Sequence, residues 1–262
     1  MAAERQGVLL QVAYDGTDFS GWATQRDART VEDALRGAIQ ALDPKASVTR
    51  GTSRTDAGVH AEGQMVAFDT DLAMPPRGWV LALNQHLPDD VAVRRARAVP
   101  VGFAPRFASL EKRYAYHLLL DKVRDPLRRN RAWRLGWDMD MELLAREARS
   151  LVGTHDFRAF RAAGDERENT VRTIREVRLE TREEGRIVRI VVCGSAFLYN
   201  MVRIVSGTLV DVARGHLPEG TVAKAIEGRE RRLAGQTAPA EGLVLEQITL
   251  DLPEGTGEPW PP

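Results

Sequence analysis

The chain has 262 residues, of which 43% are hydrophobic and 28% charged, and its formal net charge is zero. This is the composition of a soluble globular protein with one large domain or two small ones, and zero net charge argues weakly against a nucleic-acid partner, since such domains are usually basic. The chain has no apolar run of about 18 residues, so a membrane span is not expected. Its single cysteine, Cys193, excludes an internal disulfide. The chain also has no secretory signal, so the sequence predicts a cytoplasmic protein.

The first half of the chain predicts the order strand, helix, strand, strand, helix, strand. Apolar runs and alternating patterns mark the strands, and an apolar stripe behind Thr30, which opens a capping box, marks the first helix. The predicted elements are strand 8–14, helix 31–42, strands 47–51 and 64–69, helix 77–87 and strand 91–99.

The second half repeats this theme. Asp140 is placed to cap a helix whose apolar stripe runs from Met141 to Val152. The predicted elements are strand 112–120, helix 141–152, strands 172–180 and 187–193, helices 197–213 and 222–226, and strand 243–252. Two α+β halves with antiparallel sheets follow, which we place at residues 1–105 and 106–252. Residues 253–262 contain four prolines and two glycines and predict a disordered tail.

The segment 51–65, GTSRTDAGVHAEGQM, holds one aspartate, Asp56, among glycines and alanines. Small neighbours allow a tight loop and the close approach of a large, flat ligand to the carboxylate, and Arg54 could contact a phosphate. An aspartate between glycines is also a common turn former that bonds its own backbone, and local chemistry alone favours this interpretation. Ser53 and His60 would complete a Ser/His/Asp triad, but no GxSxG elbow exposes the serine.

Arg203 is the only charged residue between Phe197 and Val210, on a predicted helix that is otherwise mostly apolar. A buried guanidinium without a partner is costly, so an acidic partner is expected. Asp56 and Asp211 are the two candidates.

A basic segment lies between Lys122 and Arg134, where six cations stand against one acid, Asp125. Such segregation can give a basic face on a neutral protein. A solvated surface loop is an equally good interpretation of this stretch taken alone.

The motif RTDAGVHAEGQ, at residues 54–64, resembles the signature loop of TruA-type tRNA pseudouridine synthases. Further segments resemble that family in the expected order and cover nearly the whole chain. They are YDGT with GW at 14–22, FAPRF at 103–107, KRYAY at 112–116, FLYNMVRIVSGTL at 197–209 and TAPAEGL at 237–243. Two positions depart from the family pattern, because Ser53 stands where glycine is frequent and Gln25 follows Gly-Trp at an unusual spacing.

The resemblance implies a role for each of these motifs. Asp56 would be the catalytic carboxylate and Arg203 its partner. Tyr114 would stack on the target base, which restores about 1–3 kcal/mol to a flipped-out base, and Leu243 would close the wall under it. Taken alone, Tyr114 and Tyr116 alternate on a strand and Leu243 begins one, so core packing is the alternative. The implied RNA contacts are Arg54, Phe103, Arg106, Phe107, Lys122 and Arg167.

The resemblance also implies a fold and an activity. The fold is α+β, with two ferredoxin-like or RRM-like halves whose antiparallel sheets join into one extended sheet, with helices on one face and a central cleft. The activity is the isomerisation of uridine to pseudouridine at positions 38, 39 and 40 of the tRNA anticodon arm, by a homodimer. The reaction breaks C1′–N1 and joins C5 to C1′ without redox change or water, so we expect no cofactor and no metal, in agreement with the missing GxGxxG, Walker A and HExxH motifs.

Two other classes of protein are the alternatives. A non-catalytic RNA-binding module could use the same α+β platform, but it would have no use for a carboxylate that faces the bound base. A glycosidase would need two cooperating carboxylates, for which the motif offers Asp56 and Glu62, although nothing places Glu62 opposite a sugar.

Overall fold

A computed structural model describes residues 5–136, 138–254 and 256 of the chain and has a mixed α+β architecture with mostly antiparallel strands. The strands are β1 (Gln6–Tyr14), β2 (Arg50–Gly51), β3 (His60–Thr70), β4 (Val91–Val99), β5 (Ser109–Leu120), β6 (Trp133–Leu135), β7 (Gly153–Asp156), β8 (Val171–Arg182), β9 (Ile187–Gly194) and β10 (Leu243–Leu250). The helices are α1 (Val31–Leu42), α2 (Pro76–Asn84), α3 (Met141–Arg149), α4 (Met201–Ala213) and α5 (Thr221–Gly228). Short 3-10 helices cover Pro126–Arg128, Arg158–Phe160, Arg231–Leu233 and Ala240–Gly242. No helix within the described ranges is long and apolar enough to cross a bilayer.

The chain divides into two compact units. The first contains the described residues up to Leu110 and those from Leu245 onward, and the second is Glu111–Val244. How the two halves join, including the single extended sheet and its central cleft, stays a prediction of the resemblance.

In the first unit, β1 lies between β4 and β3 and is antiparallel to both, and β10 follows on the far side of β3. Strands flank β1 on both edges, and six of its nine residues are buried, in agreement with its apolar run. The helices α1 and α2 supply buried apolar residues to this core. Trp79 of α2, for example, meets Phe68 of β3 edge-on with ring centroids 5.2 Å apart.

In the second unit the strand order is β5, β9, β8, β7, with antiparallel pairing throughout, and β6 runs parallel to β5. All eight residues of β9 are buried. Every residue of α4 is buried except Arg203, which is half-buried. This helix is therefore the core element of the unit, and its one cation lies at its least buried position.

Both predicted helix caps are confirmed. The backbone N–H of Asp33 donates to the Thr30 hydroxyl at 3.3 Å, and that of Leu143 donates to the Asp140 carboxylate at 2.8 Å. These bonds satisfy N–H groups that the first turn of a helix leaves without a partner.

Several predicted boundaries are wrong. The helix expected at 197–213 begins at Met201, because Asn200 takes a left-handed conformation with φ of 58°. The helix expected at 141–152 ends at Arg149 and is followed by β7, which the sequence did not predict, and β6 was missed as well. The strand expected at 47–51 shrinks to Arg50–Gly51, and the helix expected at 77–87 ends at Asn84. Most of the predicted tail, 255 and 257–262, lies outside the described residues.

Candidate active site

Asp56 lies in the loop 52–59 that joins β2 to β3. Its side chain is partly exposed, and Arg54 in the same loop is exposed. The loop is tied to the segment 15–22 on both sides of the carboxylate. The backbone N–H of Trp22 donates to the Thr55 carbonyl at 3.1 Å, and the backbone N–H of Gly58 donates to the Phe19 carbonyl at 3.2 Å. The backbone around Asp56 is therefore held at two points.

The residues beside Asp56 are buried and hydrogen-bonded. The hydroxyls of Thr55 and Tyr14 lie 2.7 Å apart, and both side chains are buried. The side-chain amide of Gln64 brackets the Ser53 backbone, accepting from its N–H at 3.2 Å and donating to its carbonyl at 2.6 Å. Strand β3 thus clamps the start of the loop.

His60 anchors the same loop from its other end. Its ring is buried, and its Nδ1 accepts the backbone N–H of Gly16 at 3.0 Å. A Cβ on Gly16 would lie 2.0 Å from the Val59 carbonyl oxygen, so only glycine permits this approach. The segment 14–22 therefore packs against the Asp56 loop. Ser53 and His60, the other members of the possible triad, both have structural contacts of their own.

The turn 101–107 is held by hydrogen bonds to the ion pair of Arg50 and Asp69. The Arg50 guanidinium bonds both carboxylate oxygens of Asp69 at 2.7 and 3.0 Å and donates through Nε to the Phe103 carbonyl at 2.8 Å. Burial raises the pKa of Asp69, but the bonds from Arg50 and the Gly102 N–H outweigh it and leave the pKa below its ordinary value.

This anchored turn presents an aromatic ring to solvent. Phe107 is 89% exposed, and Arg106 beside it is also exposed, whereas Phe103 is half-buried. An exposed phenylalanine ring can stack on a flat base, and the arginine beside it can pair with a phosphate group.

In the second unit, Arg203 is oriented by two acceptors. Its Nε donates to the Ala238 carbonyl at 2.8 Å, and its Nη1 donates to the Asn200 side-chain oxygen at 2.8 Å. Asp211, one of its two candidate partners, instead accepts two bonds from Gln236, at 2.7 and 3.1 Å. The pairing of Arg203 with Asp56 stays a prediction.

Tyr114 and Tyr116 are both buried on β5. The Tyr114 ring meets Phe197 edge-on at 5.2 Å, and the Tyr116 hydroxyl donates to the Pro239 carbonyl at 2.8 Å. Burial raises the pKa of Tyr116 well above its ordinary value. Because Tyr114 is only 6% exposed, packing is the role seen in its contacts, and base stacking stays a prediction.

Leu243 is also buried, directly after a glycine that touches the Tyr116 ring. A Cβ on Gly242 would lie 2.6 Å from that ring. The segment 236–243 therefore contacts both α4, through Ala238, and β5, through Tyr116. Leu243 follows directly after these contacts and is the first residue of β10.

The basic segment is held by ion pairs to the turn between β8 and β9. Arg186 donates to both Asp121 and Asp125, at 2.8 and 2.9 Å, and Arg128 pairs with Glu183. Lys122 is exposed. Glu183 balances the charge of Arg128, whereas Arg186 adds a further cation that pairs with the acids Asp121 and Asp125. The segment is thus a loop tethered by ion pairs.

Arg167 lies in the loop 161–168 with half of its side chain exposed. Its Nε donates to the Asp165 carboxylate at 2.8 Å, and its carbonyl accepts from Arg161 at 2.7 Å. The sequence interpretation included Arg167 but missed Asp165, Asn200 and Ala238. No group of three or more His, Cys, Asp or Glu side chains within the described ranges is placed to hold a metal ion.

Comparison with known proteins gives a consistent result. The sequence model of a family named tRNA pseudouridine synthase matches residues 10–108 and 148–251. A tRNA pseudouridine synthase A from Geobacter sp. (strain M21) is 42% identical over 244 residues, which cover 93% of this chain and 98% of the relative. Proteins of the same name from Acetivibrio thermocellus and Bacillus subtilis (strain 168) are each 40% identical, covering 93% and 92% of this chain and 99% and 97% of the relatives. The similarity thus extends over nearly the full length of both partners in each comparison.

Proposed function

Since this chain belongs to the tRNA pseudouridine synthase family and isomerises uridine to pseudouridine in tRNA, we propose that Asp56 is the carboxylate that carries out the reaction. The observation that supports this assignment is the clamped loop. Asp56 is partly exposed while its neighbours Thr55 and Ser53 are buried and bonded. A preorganised carboxylate loses little freedom when it meets its substrate.

The reaction breaks the C1′–N1 bond, turns the uracil and joins C5 to C1′, and all atoms of the substrate remain in the product. Asp56 can act as a nucleophile at C1′ or at C6, or as a base toward the 2′ position. Each of these roles requires the ionised carboxylate. Arg203 is proposed as its partner, because a guanidinium held by Asn200 and Ala238 can direct a carboxylate and keep it charged.

Two variants test this assignment. Asp56→Asn and Asp56→Ala are expected to bind tRNA but to form no pseudouridine, measured by chemical labelling of pseudouridine in unmodified tRNA. Glu62→Gln is the matched control, because Glu62 is an exposed acid of the same motif, and it is expected to retain activity. Appreciable turnover by either Asp56 variant would refute the assignment.

The finer substrate assignment is the anticodon arm at positions 38, 39 and 40. The proposed RNA contacts are compatible with it, because most of them lie on the surface and all are cationic or aromatic. They are Arg54, Phe103, Arg106, Phe107, Lys122 and Arg167, of which Phe103 is half-buried. Mapping the labelled positions in an unmodified tRNA tests this proposal directly, and labels outside the anticodon arm would contradict it.

We also propose a homodimer and, given a tRNA substrate, a cytoplasmic location. A dimer would place two sets of cationic contacts on one tRNA, which would help a chain of zero net charge to bind RNA. Sedimentation equilibrium of the purified protein gives the oligomeric state.

A further inference from the structure

The four residues before α4, 197–200, contact Arg203, the proposed partner of Asp56, and Tyr114, to which the family resemblance gives a base-stacking role. Phe197 packs edge-on against Tyr114, with ring centroids 5.2 Å apart. Asn200 accepts from Arg203 at 2.8 Å. We call residues 197–200 the lead-in segment. Its position affects the placement of Tyr114 and Arg203 together.

Asn200 needs an unusual backbone conformation for this contact. Its φ of 58° and ψ of 9° lie in the left-handed region, which costs most residues energy but which asparagine tolerates. Asparagine therefore supplies both the allowed backbone and the acceptor oxygen for Arg203. Such a conformation persists when the neighbouring residues are restrained.

The restraint on the neighbouring residue comes from the loop that carries Arg167. The Tyr199 N–H donates to the Asp165 carboxylate at 3.1 Å, and the Tyr199 carbonyl accepts from the Ala162 N–H at 3.2 Å. Both polar backbone groups of Tyr199 are thus held by the loop 161–168.

Asp165 is the centre of this connection. One of its oxygens accepts from Tyr199, and the other accepts from the N–H and the Nε of Arg167, at 3.2 and 2.8 Å. Its side chain is only 3% exposed. Burial raises the pKa of Asp165, but the hydrogen bonds from Arg167 and Tyr199 outweigh it and leave the pKa below its ordinary value. The carboxylate is therefore ionised at neutral pH and keeps all three bonds.

We propose that Asp165 is a positioning residue that links the Arg167 loop to the lead-in segment and so sets the placement of Arg203 and Tyr114 for the reaction. This inference rests on the proposed function, because it takes the role of Arg203 from it and the role of Tyr114 from the family resemblance. Asp165 acts through its bonds to Tyr199 and Arg167, and no direct role in the reaction is assigned to it. Its loss displaces the reacting groups while the cations that bind RNA remain.

The experiment uses Asp165→Asn in the full-length protein, with the single-turnover rate at saturating tRNA and the tRNA Kd measured separately. The rate is expected to fall by about tenfold or more, because small displacements of reacting groups are costly, with little change in Kd. Tyr199 and Arg167 donate to different oxygens of Asp165, and asparagine replaces one of these oxygens by an NH2 group, which faces one of the two donors instead of an acceptor. Arg167→Gln is the matched comparison, and it is expected to weaken Kd more than it slows the rate.

A double-mutant cycle with Asn200→Gly separates positioning from general damage. Glycine keeps the left-handed backbone but removes the acceptor for Arg203. If Asp165 acts through Asn200, the double variant is slowed by clearly less than the product of the two single effects. Circular dichroism confirms that each variant is folded.

A wild-type rate for Asp165→Asn, a loss confined to Kd, or single effects that multiply would each overturn the inference. None of these results would affect the assignment of Asp56, which is tested by its own variants.

Discussion

At the scale of single residues, most polar groups around Asp56 serve to hold it. Ser53 and His60 look reactive in the sequence, yet Ser53 is bracketed by Gln64 and His60 accepts the Gly16 N–H. A buried polar group without a hydrogen bond costs about 1–3 kcal/mol, so these contacts also stabilise the loop. In the sequence, Asp56, Ser53 and His60 belong to one motif. The structure shows that Ser53 and His60 make hydrogen bonds that hold the loop carrying Asp56.

The guanidinium of Arg203 gives the residue-scale prediction. Arg203→Lys is expected to lower the rate of pseudouridine formation much more than tRNA affinity, because lysine keeps the charge but cannot bond Ala238 and a carboxylate through one planar group. Single-turnover rates and tRNA binding curves measure the two effects. A defect in affinity alone would argue against a role beside Asp56.

At the scale of elements, α4 combines core packing with the placement of Arg203. It approaches the segment 235–238 so closely that a Cβ on Gly207 would lie 2.0 Å from the Gln236 carbonyl oxygen. The same segment supplies Ala238, which accepts from Arg203. The segment 235–238 therefore determines both the position of α4 and the orientation of the Arg203 guanidinium.

Gly207→Ala tests this link between packing and placement. The added methyl group must push α4 and the segment 235–238 apart, which is expected to cost about 1–3 kcal/mol of stability and to reduce the rate. Gly37→Ala is the control, because a Cβ at Gly37 in α1 meets nothing within 4 Å, and it is expected to stabilise the protein by about 0.5–1 kcal/mol. Chemical denaturation and single-turnover rates measure both variants. Equal stability of Gly207→Ala and the unchanged protein would contradict the close approach.

At the scale of the whole molecule, charge distribution matters more than the total. The chain has 37 cationic and 37 acidic residues, and this balance argued weakly against a nucleic-acid partner. That argument was wrong for a member of a tRNA pseudouridine synthase family. Many arginines are paired with acids within the protein, as Arg178 is with Glu176 and Glu180. The cations that we propose as RNA contacts include Arg54 and Arg106, which are exposed.

Salt dependence gives the prediction at this scale. Affinity for tRNA is expected to fall by about tenfold or more between 50 and 200 mM salt, because phosphate contacts release bound counterions. Arg106→Gln is expected to reduce the slope of log K against log salt by about one, whereas Arg178→Gln leaves it unchanged. Binding titrations at several salt concentrations measure the slopes. An unchanged slope for Arg106→Gln would remove this residue from the RNA interface.

The sequence alone determined the elements whose signals are local and the identity of the central motif. Strand 91–99 and the caps at Thr30 and Asp140 agree with the structure, because an alternating pattern or a capping side chain acts over a few residues. The motif around Asp56 was likewise readable as a string of residues. The start of α4 was not, since it depends on the left-handed backbone of Asn200.

Only the tertiary structure shows which of these segments contact one another through hydrogen bonds. Tyr14 bonds Thr55 across 41 residues, and Asp165 bonds Tyr199 across 34. The physical reason is that a hydrogen bond depends on the distance between two atoms in space, whereas a local pattern specifies only the periodicity of its own segment. The supports of the site therefore became visible only when the chain was folded, although the motif that they support could be read beforehand.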